Sequence, residues 1–222
     1  MAASPKSSKV NRNWLHDHVN DAYVKRAQRE GYRARAAFKL QELDDTFRLV
    51  QPESLVVDLG STPGAWSQYL RRRMDAGRSS RNEAACRPPG EVIALDLLPM
   101  EPIPGVRFLQ GDFREPDTLR QLEALLAGRQ ADLVVSDMAP NLSGIASADA
   151  ARMQDLIELA IDFAASHLHS RGTLVAKVFH GAGYDPVVRR FREVFEQVKP
   201  FKPKASRDRS AETYLVGLRV KV

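Results

Sequence analysis

The chain has 222 residues, 43% of them hydrophobic, enough for one α/β domain with its own core, and a formal net charge of +5. It has no apolar run long enough to span a bilayer, and its polar, basic opening MAASPKSSKVNRN lacks the apolar core of a signal peptide. The single cysteine, Cys86, excludes an internal disulfide and any cysteine-rich metal site, so a reducing cytoplasm is the expected setting.

Residues 1–17 read as a basic, largely disordered arm, and 18–222 as a single domain. Short helices are expected at Asp21–Arg29 and Arg33–Thr46, parted by Gly31. From there apolar strands alternate with amphipathic stretches. Strands are predicted at Ser54–Leu59, Glu91–Leu97, Val106–Gln110, Ala131–Asp137 and Thr173–Phe179. Helices are predicted at Ala65–Met74, Asp117–Ala127, Ala148–His169 and Pro186–Val194. The run RRRMDAGRSSRNEAACRPPG, residues 71–90, reads as an extended basic surface loop. Two last strands, near Glu196–Lys202 and Glu212–Lys221, have no convincing helix between them and suit a closing antiparallel hairpin. Alternation of this kind predicts a doubly wound, mostly parallel sheet.

Charge is distributed unevenly. Residues 1–50 carry ten Lys/Arg against six Asp/Glu, residues 177–222 carry eleven against five, and the middle of the chain is net acidic. That pattern suits a cationic small molecule at the centre and a polyanion held by the flanks. Lys and Arg also solvate ordinary surfaces, so charge alone favours a nucleic-acid partner only modestly.

Ligands of open parallel sheets bind beyond the carboxyl ends of the strands. There the stretch VVDLGSTPGAW places Asp58, then a turn through Gly60, Pro63 and Gly64, then a helix beginning near Trp66. Its glycines are spaced neither as G-x-G-x-x-G nor as a P-loop, which excludes both phosphate-binding fingerprints. Asp96, Asp112 and Asp137 follow at the next three strand ends. One such acid is more often a cap or turn residue, the plainer reading for Asp112. Four in succession suit a ligand with a ribose, an adenine amino group and a positive charge. S-adenosylmethionine has all three, whereas NAD would bring a pyrophosphate that acids repel. Trp66 has two open roles, stacking near the cofactor or packing its helix onto the sheet.

The stretch GTLVAKVFHG breaks the apolar pattern with Lys177, a charge that burial penalises unless it is partnered. The histidine pairs His16/His18 and His167/His169 point apart on a helix and are poor metal ligands.

The runs YRARAAFKLQEL, DLGSTPGAWSQYL, ALDLLPM, FLQGDFR, SDMAPNLSG, KVFHG and SRDRSAETYLV, in order from about Trp14 to Val220, resemble the FtsJ family. These are S-adenosylmethionine-dependent ribose 2′-O-methyltransferases that modify a uridine of bacterial large-subunit ribosomal RNA. The resemblance implies an α/β, Rossmann-like class I methyltransferase fold. Its sheet would be mostly parallel and seven-stranded, with one antiparallel strand at an edge and helices on both faces. A catalytic set of Lys39, Asp137, Lys177 and Glu212 is likewise implied, with Asp58, Gly60, Pro63, Gly64, Trp66, Asp96, Asp112 and Asp137 around the cofactor.

Such chemistry needs a ribose oxygen aligned with the methyl and relieved of its proton. Burial and Lys39 favour a neutral Lys177, a base; Asp137 and Glu212 favour an ammonium that only orients the hydroxyl. The sequence leaves that choice open. Lys39 could instead be a surface lysine and Glu212 a strand-end acid. RNA phosphates would meet Arg33, Arg35 and Lys39 on one flank, and Lys199, Lys202, Lys204, Arg207 and Arg209 on the other.

Ser61–Thr62 and Ala65 depart from the usual D-L-G-A-A-P-G-G-W turn, and His180 stands where glutamine is usual. The expected partner is ribosomal RNA, within the large subunit, met by a monomer away from any membrane. Family members acting on tRNA or mRNA caps, and a non-catalytic ribosome-assembly factor with the same fold, are the alternatives.

Overall fold

The computed structural model describes residues 21–79, 88–140, 143–181, 183–207 and 210–221. The predicted arm, most of the predicted loop's second half and Arg209 lie outside them. In chain order the elements are α1 (Ala22–Arg29), α2 (Ala36–Phe47), β1 (Leu55–Leu59), α3 (Ala65–Ser79), β2 (Glu91–Asp96), β3 (Val106–Gln110), α4 (Pro116–Leu126), β4 (Ala131–Ser136), α5 (Ala146–His167), β5 (Leu168–Phe179), α6 (Tyr184–Val194), β6 (Phe195–Phe201) and β7 (Glu212–Val220).

The strands form one seven-stranded sheet in the order β3-β2-β1-β4-β5-β7-β6. β7 alone runs antiparallel to its neighbours, pairing with β5 and with β6. The hairpin of the last two strands is therefore as the sequence suggests. The antiparallel strand, however, is one place in from the edge, because β6 pairs outside it and closes the sheet.

Each face of the sheet buries its own core. Val57, Leu59, Leu95, Leu174 and Leu215 pack with residues of α4, α5 and α6. Val56, Val135, Val175 and Tyr214 pack with Leu40 and Leu43 of α2 and with Trp66, Tyr69 and Leu70 of α3. All five residues of β1 are buried, as expected of a strand covered on both sides.

One boundary differs materially from expectation. Helix α3 continues to Ser79, so residues 71–79 of the predicted loop are helical. Its arginines are committed to partners. The Arg71 guanidinium donates to the Gly90 carbonyl at 2.6 Å and pairs with Asp75 at 2.7 Å. Arg72 donates to the carbonyls of Glu30 and Gly31, and Arg73 pairs with the buried Asp44. Among the described residues no helix is long and apolar enough to cross a membrane.

Candidate active site

At the carboxyl ends of β1, β2 and β4 the chain leaves a crevice of about 540 Å³, a usual size for a small-molecule site. Gly60, Thr62, Asp96, Asp112 and Asp137 line it, with apolar walls from Leu95, Phe113 and Met138. Gly60 turns the chain out of β1 at φ +77°, a left-handed conformation that favours glycine. A Cβ there would lie 2.9 Å from the Met138 backbone nitrogen.

The four strand-end acids are not equivalent. The Asp96 carboxylate is fixed on both oxygens, accepting the Thr62 N–H at 2.8 Å and the Leu98 N–H at 2.8 Å. Asp112 lines the crevice but is gripped by Arg114 at 2.6 Å, whose hydrogen bonds hold its carboxyl below the usual carboxylate range. Asp58 lies beneath, fully buried, and accepts the Ser67 hydroxyl at 2.6 Å. Burial, with Asp137 and Asp96 nearby, pushes its carboxyl up to about 7.

Asp137 belongs to two groupings at once. It lines the crevice, and its Oδ1 lies 3.1 Å from the Lys177 ammonium. Lys177 also donates to the Asp137 carbonyl at 2.5 Å. The breach in the β5 pattern is thus a buried lysine, 8% exposed, with both of these oxygens as partners. Tyr214 stands opposite it in the β5–β7 register and donates its hydroxyl to Asp137 Oδ1 at 2.9 Å. Burial, reinforced by Asp137 and Glu212, pushes that phenol well above its ordinary value, so it stays a donor.

The remaining two expected residues form a second pair. Lys39 Nζ lies 2.6 Å and 2.9 Å from the two oxygens of Glu212, and 6.0 Å from the centre of the Tyr214 ring. Tyr214 therefore stands between the Lys177–Asp137 and Lys39–Glu212 pairs. The sequence reading missed it, because a tyrosine in an apolar strand looks like core; its register opposite Lys177 is the available signal.

Several candidates sit elsewhere. Trp66 is 3% exposed, does not line the crevice, donates its indole N–H to the Ala36 carbonyl at 2.8 Å and packs on Tyr214. Of its two readings the structure carries the packing one. Pro63 and Gly64 also lie off the crevice and shape the turn. The Pro63 carbonyl accepts from Arg33, and a Cβ on Gly64 would meet Met100 and Ile103 at 2.8 Å. Arg33 donates to three carbonyls, those of Pro63, Glu101 and Pro102. Arg35 pairs with Asp21 and donates to the Ala205 carbonyl. Both were expected at RNA; in the structure they tie loops together, because a guanidinium's several donors suit it to bridging carbonyls. The exposed His180 ring packs at a tilt against Tyr184. His167 and His169 contact the Phe163 carbonyl and Asp132, and among the described residues no cluster could hold a metal ion.

A model of FtsJ-like methyltransferases matches residues 32–220. The chain belongs to that family. A ribosomal RNA large subunit methyltransferase E of Variovorax paradoxus is 66% identical over 221 residues, covering 100% of this chain and 98% of the relative. The protein of the same description from Albidiferax ferrireducens is 65% identical over 222 residues, covering 100% and 99%. Among solved structures, a Plasmodium falciparum protein described as a ribosomal RNA methyltransferase aligns with a TM-score of 0.72 at 26% identity, over 85% of this chain and 98% of that one. Aeropyrum pernix fibrillarin with bound S-adenosyl-L-methionine has the same fold, at a TM-score of 0.53 and 13% identity over 82% and 73% of the two chains.

As a member of the FtsJ-like family the protein is an S-adenosylmethionine-dependent methyltransferase, and the crevice fits that cofactor. Asp96 and Asp137 offer carboxylates for ribose hydroxyls and a positive charge. Among the described residues the two arginines at the crevice are themselves paired with carboxylates, Arg114 with Asp112 and Arg152 with Asp149, an arrangement unlike a pyrophosphate cradle.

Proposed function

We propose that the protein methylates the ribose 2′-hydroxyl of a uridine in large-subunit ribosomal RNA. The observation that carries this is Asp137, which lines the cofactor crevice and holds both Lys177 and Tyr214 on its Oδ1. When bound, S-adenosylmethionine supplies an electrophilic methyl group on a sulfonium. The chain's task is to align a weak nucleophile and to take its proton. Lys177 has two of its three donors on Asp137 oxygens, which leaves one for a substrate oxygen. The Lys177 ammonium orients the hydroxyl and the adjoining Asp137 carboxylate takes its proton as the methyl is transferred, while Lys39, fixed by Glu212, places a second cation at the edge of the same site. A 2′-hydroxyl nucleophile makes RNA, not DNA, the substrate. Large-subunit rRNA is supported by the names of the relatives at 66% and 65% identity.

The test is to incubate the protein and labelled S-adenosylmethionine with large subunits, free rRNA and tRNA, then map ribose methylation. Label on a uridine 2′-oxygen of large-subunit rRNA is expected; cofactor binding without methylation of any RNA would overturn the reading. Lys177→Ala should lower kcat by about a thousandfold or more, with cofactor affinity within a few-fold, since it removes the group facing the nucleophile. The same reading takes the protein as a single-domain monomer of the cytoplasm, where its substrate is made; light scattering checks the first.

A further inference from the structure

Three side chains lie along one stripe of α2: Arg35 at its N-terminal boundary, then Lys39 and Glu42, four and three residues on. Arg35 and Glu42 reach the connection between β6 and β7, and Lys39 reaches Glu212, the first residue of β7. Glu42 accepts two consecutive backbone N–H groups, that of Lys204 at 2.6 Å and that of Ala205 at 2.9 Å. Arg35 donates to the Ala205 carbonyl. Ala205 is fully buried against Ala27 and Phe38, which seats the peptide from below. The next residue, Ser206, is 4% exposed and donates its hydroxyl to Glu212 Oε1 at 2.8 Å. Glu212 is the carboxylate that holds Lys39.

These contacts form a closed circuit from α2, through the 204–206 peptide, to Glu212 and back to α2 at Lys39. A carboxylate paired with an ammonium keeps lone pairs to spare, and a buried hydroxyl on one of them selects a single carboxylate orientation. Resting on the methyltransferase reading above, we propose that Glu42 and Ser206 are positioning residues for Lys39. Glu42 seats the peptide, Ser206 carries that placement to the Glu212 carboxylate, and Glu212 sets where the Lys39 ammonium stands. Lys204 and Arg207 are exposed on the same clamped turn. An RNA phosphate held by either is thereby placed in one frame with the reacting ribose.

The experiment compares Ser206→Ala, Ser206→Thr and Glu42→Gln in the full chain. It uses steady-state kinetics on large-subunit rRNA, cofactor titration, thermal melts and amide hydrogen exchange. Ser206→Ala should lower kcat about tenfold, with KM for RNA and cofactor affinity within about twofold, as expected for losing one hydrogen bond to a charged group. Ser206→Thr, which keeps the hydroxyl, should recover most of the loss. Ser206→Ala should add little to Glu212→Gln, because both act through one carboxylate. Glu42→Gln should raise KM for RNA as well as lower kcat, and speed exchange of the Lys204 and Ala205 amides about tenfold. Wild-type kcat in Ser206→Ala, or full additivity with Glu212→Gln, would overturn the proposal. Should Ser206→Ala fail to fold, Glu42→Gln decides. Should the wild-type chain methylate no RNA, the reading of function fails, and unchanged exchange at Lys204 and Ala205 in Glu42→Gln is then what defeats the clamp.

Discussion

Asp58 is the most deeply enclosed of the strand-end acids, and its Oδ1 has no hydrogen-bond partner among the described residues. Its carboxyl titrates near 7 in the folded chain, against about 4 for an unfolded aspartate. The folded state therefore binds this proton more tightly. The stability tied to it is complete below about pH 4 and is lost as the pH rises through about 7. Asp58→Asn keeps an oxygen for the Ser67 hydroxyl but cannot ionise. Relative to wild type, its melting temperature should be more favourable at pH 8 than at pH 5.5, in the absence of cofactor. Equal differences at the two pH values would show that Asp58 titrates as an ordinary carboxylate. From spacing alone Asp58, Asp96, Asp112 and Asp137 look alike, since each simply ends a strand. What separates them is depth and neighbours: Ser67 below Asp58, backbone N–H groups on Asp96, Arg114 on Asp112 and Lys177 on Asp137. Lys177 was legible because a lysine in a buried strand costs free energy unless partnered, and that rule needs no coordinates.

At the scale of elements, the exit from β1 is the part of the site least tolerant of change. β1 pairs with β2 on one side and β4 on the other, so neither neighbour can withdraw to admit a side chain at Gly60. A Cβ there meets Met138 Cγ at 2.8 Å and Met138 Cα at 2.9 Å, on a backbone already at positive φ. Gly60→Ala should cost about 1–3 kcal/mol of stability and weaken cofactor binding at least tenfold. Calorimetric titration and a thermal melt measure both, and a variant with wild-type values for each would remove Gly60 from the site. The strand–helix alternation that puts this turn at the crevice is plain in the sequence, because period and burial set it locally. Boundaries that depend on distant partners are not. Leu168 and His169, expected to end the long helix, instead open β5 with residues 170–172, and Leu168 pairs with Ala131 across an irregularity in the ladder. Residues 75–79, beyond the predicted helix end at Met74, look like loop, yet they continue α3, with Asp75 paired to Arg71 one turn back. The antiparallel β7 was expected at the edge; the hairpin places β6 outside it, since a strand with no following crossover helix pairs with whichever edge is open.

Across the described residues, the basic side chains include two populations that a count cannot distinguish. Arg33, Arg35, Arg71 and Arg72 donate to backbone carbonyls and hold loops to helices. Lys199, Lys202, Lys204 and Arg207 are exposed around the last two strands, on the flank that carries Glu212, and of these Lys202 also donates to the Ser210 carbonyl at 2.9 Å. Only the second population is placed to exchange counterions for RNA phosphates. Each phosphate contact to single-stranded RNA contributes about 0.7 to the slope of log affinity against log salt. Replacing those four residues together by alanine should reduce the slope by about 2–3, measured as anisotropy of a labelled large-subunit rRNA fragment over a salt series. Arg33→Ala should leave the slope where it is and instead lower the melting temperature, because it removes three hydrogen bonds that tie the residues before α2 to the carbonyls of Pro63, Glu101 and Pro102. The pair of measurements discriminates sharply. If Arg33→Ala changes the slope and the fourfold variant does not, the polyanion lies across the α2 side of the molecule, and the β6–β7 turn does not touch RNA.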